Sequence, residues 1–321
     1  MRVLTGIQPS GDLHIGNYFG SILPMIESQN DHEVFAFIAN YHAMTSVGNG
    51  ERLRDLTLQA ATDFLALGMN PAKSTFWVQS DVKEVLELYW ILSGFTPMGL
   101  LERAHSYKDK TARGIASNHS LFSYPVLMAA DILLFGSEVV PVGKDQIQHV
   151  EIARDIAVKF NNQYGDIFTM PEFRVDENVA TVPGTDGQKM SKSYGNTITI
   201  FGEEKSQLKT IKKIVTELVG MEEPKEFENC NVYNIVKLFL NENERVALQE
   251  RYLSGGEGHG HFKLYLADIL WEYFRPYRER RAYYEAHQDE VRDVLKAGAA
   301  KATAIATPII EKIRSVTGIQ Y

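Results

Sequence analysis

The chain has 321 residues, of which 44% are hydrophobic and 23% charged, and its net charge at pH 7 is −8. This negative net charge excludes a protein that binds nucleic acid mainly through an overall positive charge. Local basic surfaces are still compatible with a net negative charge. The single cysteine, Cys230, excludes an internal disulfide framework and a metal cluster held by several cysteines.

The first two thirds of the chain alternate short β-branched or aromatic runs with longer helical patterns. Strands are predicted at residues 2–7, 33–40, 74–80 and 138–143, and helices at 16–29, 52–68, 82–94 and 145–165. This alternation predicts an α/β fold, a Rossmann-like doubly wound parallel sheet with helices on both faces. In such sheets ligands bind at the carboxyl ends of the strands.

From about Lys205 the strand signals fade and the pattern becomes helical. Helices are predicted at residues 204–219, 232–240, 243–255, 261–287 and 289–318. We therefore predict three parts: a Rossmann-like catalytic domain at 1–188, a lysine loop with an α-helical domain at 189–290, and a terminal helix at 291–321 that packs back on the first domain. The basic stretch "YFRPYRERRAYY" in the second part is compatible with RNA contact or with an ordinary amphipathic helix.

The segment "GIQPSGDLHIGNYFG" (6–20) places a glycine-rich turn between the first strand and a helix. Glycines let a ligand approach the backbone, and the start of a helix offers unpaired N–H groups to phosphate. His14 adds a side-chain donor. The alternative is a tight βα turn that carries a surface histidine.

The segment "GQKMSKSYGN" (187–196) is a glycine-flanked loop with Lys189 and Lys192 three residues apart. Two flexible ammonium groups and the hydroxyls of Ser191 and Ser193 suit a pyrophosphate that moves during a reaction. The alternative is a basic loop in solvent.

The apolar stretch "SLFSYPVLMAADILLFGS" (120–137) contains one charged residue, Asp131. Burying a carboxylate is costly unless it is paired, so Asp131 needs a partner. The alternatives are a ligand that donates a hydrogen bond, a helix N-cap, and backbone N–H groups of the chain itself.

Together "HIGN" (14–17) and "KMSKS" (189–193) resemble the two signatures of class I aminoacyl-tRNA synthetases. The first departs from the usual His-x-Gly-His tetrad at Asn17, whose amide still supplies a donor. The segments "YHAMT", "YPVLMAADILL" and "VVPVGKDQIQHVEIARDIA" look like the bacterial tryptophanyl-tRNA synthetase family. The resemblance covers nearly the whole chain and is weakest in the helical C-terminal part.

The resemblance implies site residues for catalysis and for both small substrates. Catalytic roles fall on Lys189, Lys192, His14 and Asn17. ATP contacts fall on Gln8, Pro9, Ser10, Gly16, Asn17, Gly143, Lys144, Asp145, Val182, Lys189, Met190, Ser191, Lys192 and Ser193. Tryptophan contacts fall on Asp131, Met128, Tyr124, Gln146, Gln8, His42, Val140, Val142 and Leu4. In this reading Asp131 accepts from the indole N–H, the one polar atom of that ring, and Tyr124 and Gln146 hold the α-amino group.

The resemblance further implies Mg²⁺ bound with the ATP phosphates rather than a protein metal site, tRNA(Trp) as partner, and a homodimer. The iron–sulfur cluster of some family members is excluded by the single cysteine. No segment has the apolar length of a membrane span, and the start of the chain lacks a signal-peptide pattern, so we expect no membrane partner and a cytoplasmic location.

Three alternatives stay open from the sequence. One is an adenylyltransferase of the same fold that makes a cofactor, although such enzymes usually lack "KMSKS" and the helical extension. The second is a synthetase-like paralogue that binds tryptophan or RNA without aminoacylation. The third is the tyrosine-specific sister enzyme, which "MAADILL" disfavours.

Overall fold

A five-stranded parallel sheet lies at the centre of the computed structural model, which describes residues 1–104, 118–175 and 181–321. The strands are β1 (Arg2–Ile7), β2 (Glu33–Ile38), β3 (Ser74–Val78), β4 (Val139–Pro141) and β5 (Glu172–Arg174). Their order in the sheet is β3-β2-β1-β4-β5. The order therefore reverses between β1 and β4, and a doubly wound sheet opens its ligand crevice at such a point. The predicted fold class is confirmed.

Helices cover both faces of the sheet and form the C-terminal part. Around the sheet they are Ile15–Asn17, Leu23–Ser28, Asn40–Ala43, Gly50–Leu67, Glu84–Ser93, Met98–Glu102, His119–Leu134 and Ile147–Tyr164. A π-helical turn, Tyr18–Ile22, joins the first two. The C-terminal helices are Glu204–Lys212, Asn231–Val236, Glu242–Ser254, His259–Ala286 and Gln288–Thr317. In the described ranges no helix has the length and apolar character needed to cross a membrane.

Strand β5 and the helix after the lysine loop are among the elements that differ from the sequence prediction. Strand β5 was not predicted, because its three residues are exposed and lack a buried apolar pattern. The helix predicted at 204–219 ends at Lys212 instead. Beyond it, the Val215 backbone N–H donates to Thr185 O at 2.8 Å, and Asn231 Nδ2 donates to Val215 O at 3.1 Å. These tertiary hydrogen bonds replace the ones that further helical turns would make.

The final helix, Gln288–Thr317, packs directly on β3. A Cβ atom added at Gly298 would lie 1.8 Å from the carbonyl oxygen of Phe76, so only glycine permits this close approach. Further along the helix, Ala302 and Ile310 are fully buried in the same cluster as Trp77 of β3. The helix thus covers the sheet edge, while the domain boundaries at 188 and 290 stay predictions.

A buried ion pair ties the sheet layer to the C-terminal helices. Arg281 Nε, on the helix His259–Ala286, donates to Asp63 Oδ1 at 2.6 Å, and Asp63 is 1% exposed. Burial raises the pKa of Asp63 to about 6, against the lowering effect of Arg281. Desolvation therefore outweighs the ion pair at this carboxyl.

Removing the Arg281 side chain should leave the desolvation of Asp63 without a compensating charge. We expect Arg281→Met to lower the free energy of unfolding by about 3 kcal/mol at pH 8, because it leaves Asp63 buried and unpaired. A folded-state pKa raised above its usual value means that stability is kept at low pH and lost as pH rises through that pKa. Asp63 is mostly protonated at pH 5, so Arg281→Met should lower the free energy of unfolding less at pH 5 than at pH 8.

Urea titration at the two pH values measures this effect. The matched control is the double variant Asp63→Asn/Arg281→Met, which carries no buried charge and should lose the pH dependence. Equal destabilisation by Arg281→Met at both pH values would show that Asp63 does not carry the effect.

Candidate active site at the carboxyl ends of the strands

A cavity of about 590 Å³ opens at the carboxyl ends of β1, β2 and β4. Its wall contains all nine residues predicted to contact tryptophan, namely Leu4, Gln8, His42, Tyr124, Met128, Asp131, Val140, Val142 and Gln146. Of the predicted ATP contacts, it contains Gln8, Ser10, Asn17 and Gly143. The cavity also includes Phe37 and Ile132, apolar residues that the sequence analysis did not assign to the site.

Asp131 lies in the wall of this cavity and is 2% exposed. It belongs to the interior of the helix His119–Leu134, so the N-cap alternative is wrong. Its Oδ2 accepts from His42 Nε2 at 2.8 Å and from Gln79 Nε2 at 2.9 Å, and its Oδ1 accepts from Gln79 Nε2 at 2.8 Å. Burial raises the pKa of Asp131, while the hydrogen bonds from His42 and Gln79 act to lower it. Asp131 thus has side-chain partners that the sequence did not reveal.

Gln79 is the main residue of this network that sequence reasoning missed. It follows β3 directly and is 1% exposed. Its Oε1 accepts from the Tyr41 backbone N–H at 3.0 Å, which directs Nε2 towards Asp131. No sequence motif marks Gln79, because its partners lie 38 and 52 residues away.

Two polar side chains of the cavity wall, Tyr124 and Gln146, already have partners in the chain. The Tyr124 hydroxyl lies 2.6 Å from His149 Nε2, and Gln146 Nε2 donates to Asp145 Oδ2 at 2.8 Å. His149 is 2% exposed and was also not singled out from the sequence. These contacts restrain the Tyr124 hydroxyl and the Gln146 amide, and both residues line the cavity.

The "HIGN" turn is locked by its own side chains. His14 Nδ1 accepts from the Asn17 backbone N–H at 3.2 Å, and Asn17 Oδ1 accepts from the His14 N–H at 3.2 Å. Burial, with a smaller contribution from the charge of Lys192, lowers the pKa of His14 to about 4. His14 is therefore neutral at pH 7, and because Nδ1 accepts, its proton is on Nε2. The Asn17 amide keeps Nδ2 as a donor.

The second motif lies against the first. Lys192 Nζ donates to Ser10 O at 3.0 Å and to Ser10 Oγ at 3.2 Å. A Cβ added at Gly16 would lie 3.2 Å from Met190 Cβ, so this glycine admits the lysine loop close to the turn. Burial lowers the pKa of Lys192, opposed by the charges of Asp12 and Asp63. The two motifs thus form one cationic, donor-rich surface at the end of β1.

Asn196, the last residue of the segment "GQKMSKSYGN", holds the lysine loop in shape, a role that no sequence pattern predicts. It is 2% exposed; its Oδ1 accepts from the Ser191 N–H at 2.8 Å, and its Nδ2 donates to Asp186 Oδ1 at 2.8 Å. The hydroxyls of Ser191 and Ser193 lie 2.8 Å apart. This loop geometry directs Lys192 towards Ser10.

The remaining predicted ATP residues lie outside the cavity wall. Lys189 lines a separate hollow of about 400 Å³ beside Asn231 and Lys237. The others that do not line the cavity are Pro9, Gly16, Lys144, Asp145, Val182, Met190, Ser191, Lys192 and Ser193. Val182 and Met190 are buried and joined by the Met190 N–H to Val182 O hydrogen bond at 2.9 Å. The structure therefore separates Lys192, which reaches the β1 turn, from Lys189.

A sequence family described as tRNA synthetases class I (W and Y) matches residues 1–275. The chain belongs to this family. The tryptophan–tRNA ligase of Campylobacter jejuni is 60% identical to it over 99% of this chain and 100% of the relative. That of Fusobacterium nucleatum is 50% identical over 99% of this chain and 98% of the relative.

One solved structure has the same sequence identity to this class I synthetase as the Campylobacter jejuni relative. The tryptophanyl-tRNA synthetase of Campylobacter jejuni, complexed with ADP and tryptophan, superimposes with a TM-score of 0.96 at 60% identity, over 99% of this chain and 100% of that one. The class I synthetase assignment made from "HIGN" and "KMSKS" is confirmed. A cofactor-making adenylyltransferase is excluded.

Proposed function

We infer that this chain is a tryptophan–tRNA ligase, which activates L-tryptophan with ATP to tryptophanyl-adenylate and transfers it to tRNA(Trp). The observation that carries the choice of amino acid is the buried Asp131 carboxylate in the cavity wall, within an otherwise apolar helix. The full-length relatives that are named tryptophan–tRNA ligases support the same choice.

Tryptophan lies with its indole in the apolar part of the cavity. The indole has one polar atom, an N–H donor, and Asp131 supplies the acceptor. Leu4, Val140 and Val142 bound the slot, and the thioether of Met128 lies against the ring face. A phenylalanine ring brings no donor to that position, which leaves Asp131 without its partner and disfavours phenylalanine.

The α-amino group of tryptophan is held between Tyr124 and Gln146. Because His149 and Asp145 already engage these side chains, both groups are in position before the substrate binds. The substrate carboxylate then points towards the β1 turn, where Gln8 lines the cavity.

ATP lies across the carboxyl ends of β1 and β4. The tryptophan carboxylate attacks the α-phosphorus in line, the bond to the bridging oxygen breaks, and pyrophosphate leaves with that electron pair. Lys192, His14 Nε2–H and Asn17 Nδ2 supply positive charge and donors to the phosphates as negative charge moves to the leaving group. Gly143, Lys144 and Asp145 form the ribose loop, and Lys189 joins the pyrophosphate when the lysine loop closes.

Mg²⁺ enters with ATP in this proposal. The described part of the chain contains no group of three or more His, Cys, Asp or Glu side chains placed to hold a metal ion. The phosphates and water therefore supply the ion's ligands, as is usual for Mg²⁺.

The helical part, about 190–290, recognises the tRNA anticodon, and the enzyme works as a homodimer in the cytoplasm. The basic and aromatic residues of the helix His259–Ala286 supply the chemistry for stacking on unpaired bases. The partly buried hydroxyls of Tyr273 and Tyr277 on this helix lie 3.0 and 3.2 Å from the Tyr18 hydroxyl, so the helix contacts the π-helical turn that follows "HIGN".

ATP–pyrophosphate exchange with single amino acids tests the proposed function. We expect exchange that depends on tryptophan and is absent with tyrosine or phenylalanine, followed by charging of tRNA(Trp) transcripts. Exchange with tyrosine instead would identify the sister enzyme. Tryptophan binding without any exchange would identify a paralogue that does not activate amino acids, and either result would overturn the proposal.

A further inference from the structure

We propose that Gln79 is the positioning residue for indole recognition: it fixes the Asp131 carboxylate so that one lone pair, on Oδ1, faces the indole N–H. This inference rests on the proposed function and goes beyond it by naming the residue that makes Asp131 selective. Gln79 touches neither the indole nor ATP in this account, and acts through Asp131.

Asp131 keeps one acceptor site that no side chain of the described residues occupies. An ionised carboxylate accepts about four hydrogen bonds, two on each oxygen. In the described residues, Oδ2 receives two, from His42 and Gln79, and Oδ1 receives one, from Gln79. The remaining acceptor site is therefore on Oδ1, and it has room for a single donor.

The Gln79 amide is held in one orientation by its backbone partner. Its Oε1 is held by the Tyr41 backbone N–H, so a flip of the amide would set two donors against each other and two acceptors against each other. The same two segments are also joined by Asn40, whose Nδ2 donates to Ser80 Oγ at 2.8 Å and whose Oδ1 accepts from the Ser80 N–H at 3.1 Å. The ends of β2 and β3 thus present Gln79 and His42 to Asp131 as one unit.

Fixing the Asp131 carboxylate makes the cavity more selective for a ring that carries an N–H. Without Gln79, the carboxylate can rotate about its Cβ–Cγ bond, and its open site need not face the ring. Tryptophan then binds more weakly, and a ring without an N–H loses less, because Asp131 can turn to other donors or water. Gln79 therefore increases the ratio of kcat/KM for tryptophan over phenylalanine, rather than the binding energy of both amino acids alike.

The test is Gln79→Met, which keeps the side-chain length and removes the amide. We expect the KM for tryptophan to rise about 10-fold or more and the ratio of kcat/KM for tryptophan over phenylalanine to fall by a similar factor. The KM for ATP should not change. The matched control is Gln29→Met at the other end of β3, where the amide accepts from the Asn70 N–H at 3.0 Å and donates to Gly68 O at 3.0 Å. It should lower stability without altering either amino-acid parameter.

A second variant covers the case in which Gln79→Met does not fold. In Gln79→Glu one carboxyl oxygen still accepts from the Tyr41 N–H, and the other faces Asp131, whose Oδ2 also accepts from His42. When protonated, the introduced carboxyl donates to Asp131 as the amide does; when ionised, it repels Asp131. Tryptophan-dependent exchange by this variant should therefore fall as pH rises from about 5.5 to 8.5, more steeply than in the wild type.

Two results would overturn the proposal. One is an unchanged tryptophan-to-phenylalanine ratio in folded Gln79→Met, and the other is a wild-type pH profile in Gln79→Glu. Failure of the proposed function gives a separate result, because the wild-type protein itself would then show no tryptophan-dependent exchange.

Discussion

Asp131→Asn should lower kcat/KM for tryptophan in ATP–pyrophosphate exchange by about 10³-fold, with little change in the KM for ATP. The asparagine amide brings its own N–H₂ group to a position where Gln79, His42 and the indole all donate. At least one N–H donor then faces the introduced N–H₂ group across a buried contact. Each buried unsatisfied group costs about 1–3 kcal/mol.

Steady-state exchange with tryptophan and ATP varied separately measures this effect. Urea unfolding of the same variant shows how much of the change is general loss of stability. If the KM values for tryptophan and ATP rose by the same factor, Asp131 would be a structural residue of the sheet layer rather than the amino-acid selector.

Lys192→Met should slow adenylate formation by about 10²–10³-fold, while the tryptophan dissociation constant stays near its wild-type value. The reason is that Lys192 already reaches the β1 turn, where its ammonium donates to Ser10 beside the predicted phosphate position. Its charge is needed when pyrophosphate leaves, and tryptophan binding does not involve it.

Single-turnover kinetics with preformed enzyme–tryptophan complex measure the rate of this step. Lys189→Met is the matched comparison within the same motif, and we expect a smaller loss, because Lys189 lines a different hollow in this structure. A loss at Lys189 equal to or larger than that at Lys192 would contradict the assignment of Lys192 as the first lysine to meet the phosphates.

The sequence predicted the sheet architecture and the cavity wall because both depend on local patterns. Strands β1 to β4 are short apolar runs between helical periods, and Gly68, at φ 117°, ends the helix Gly50–Leu67 where the pattern stops. All nine predicted tryptophan contacts line one cavity, although their individual roles stay predictions.

Two positioning residues, Gln79 outside the motifs and Asn196 at the end of "GQKMSKSYGN", escaped prediction for a physical reason. Gln79 and Asn196 act through hydrogen bonds to partners fixed by the tertiary structure, and neither residue type signals such a role from the sequence. Asp131 shows the same limit: the sequence identifies a carboxylate that needs a partner and predicts the substrate as that partner, and the structure adds His42 and Gln79.

The ratio of kcat/KM for tryptophan over β-(3-benzothienyl)alanine most directly tests whether Asp131 selects an N–H donor. This analogue keeps the shape of the two fused rings and replaces the indole N–H with sulfur. We predict a preference for tryptophan of about 10²-fold in the wild type, the value of a hydrogen bond to a buried charge, and a much smaller preference in Asp131→Asn. Equal kcat/KM values for the two amino acids in the wild-type enzyme would contradict the account.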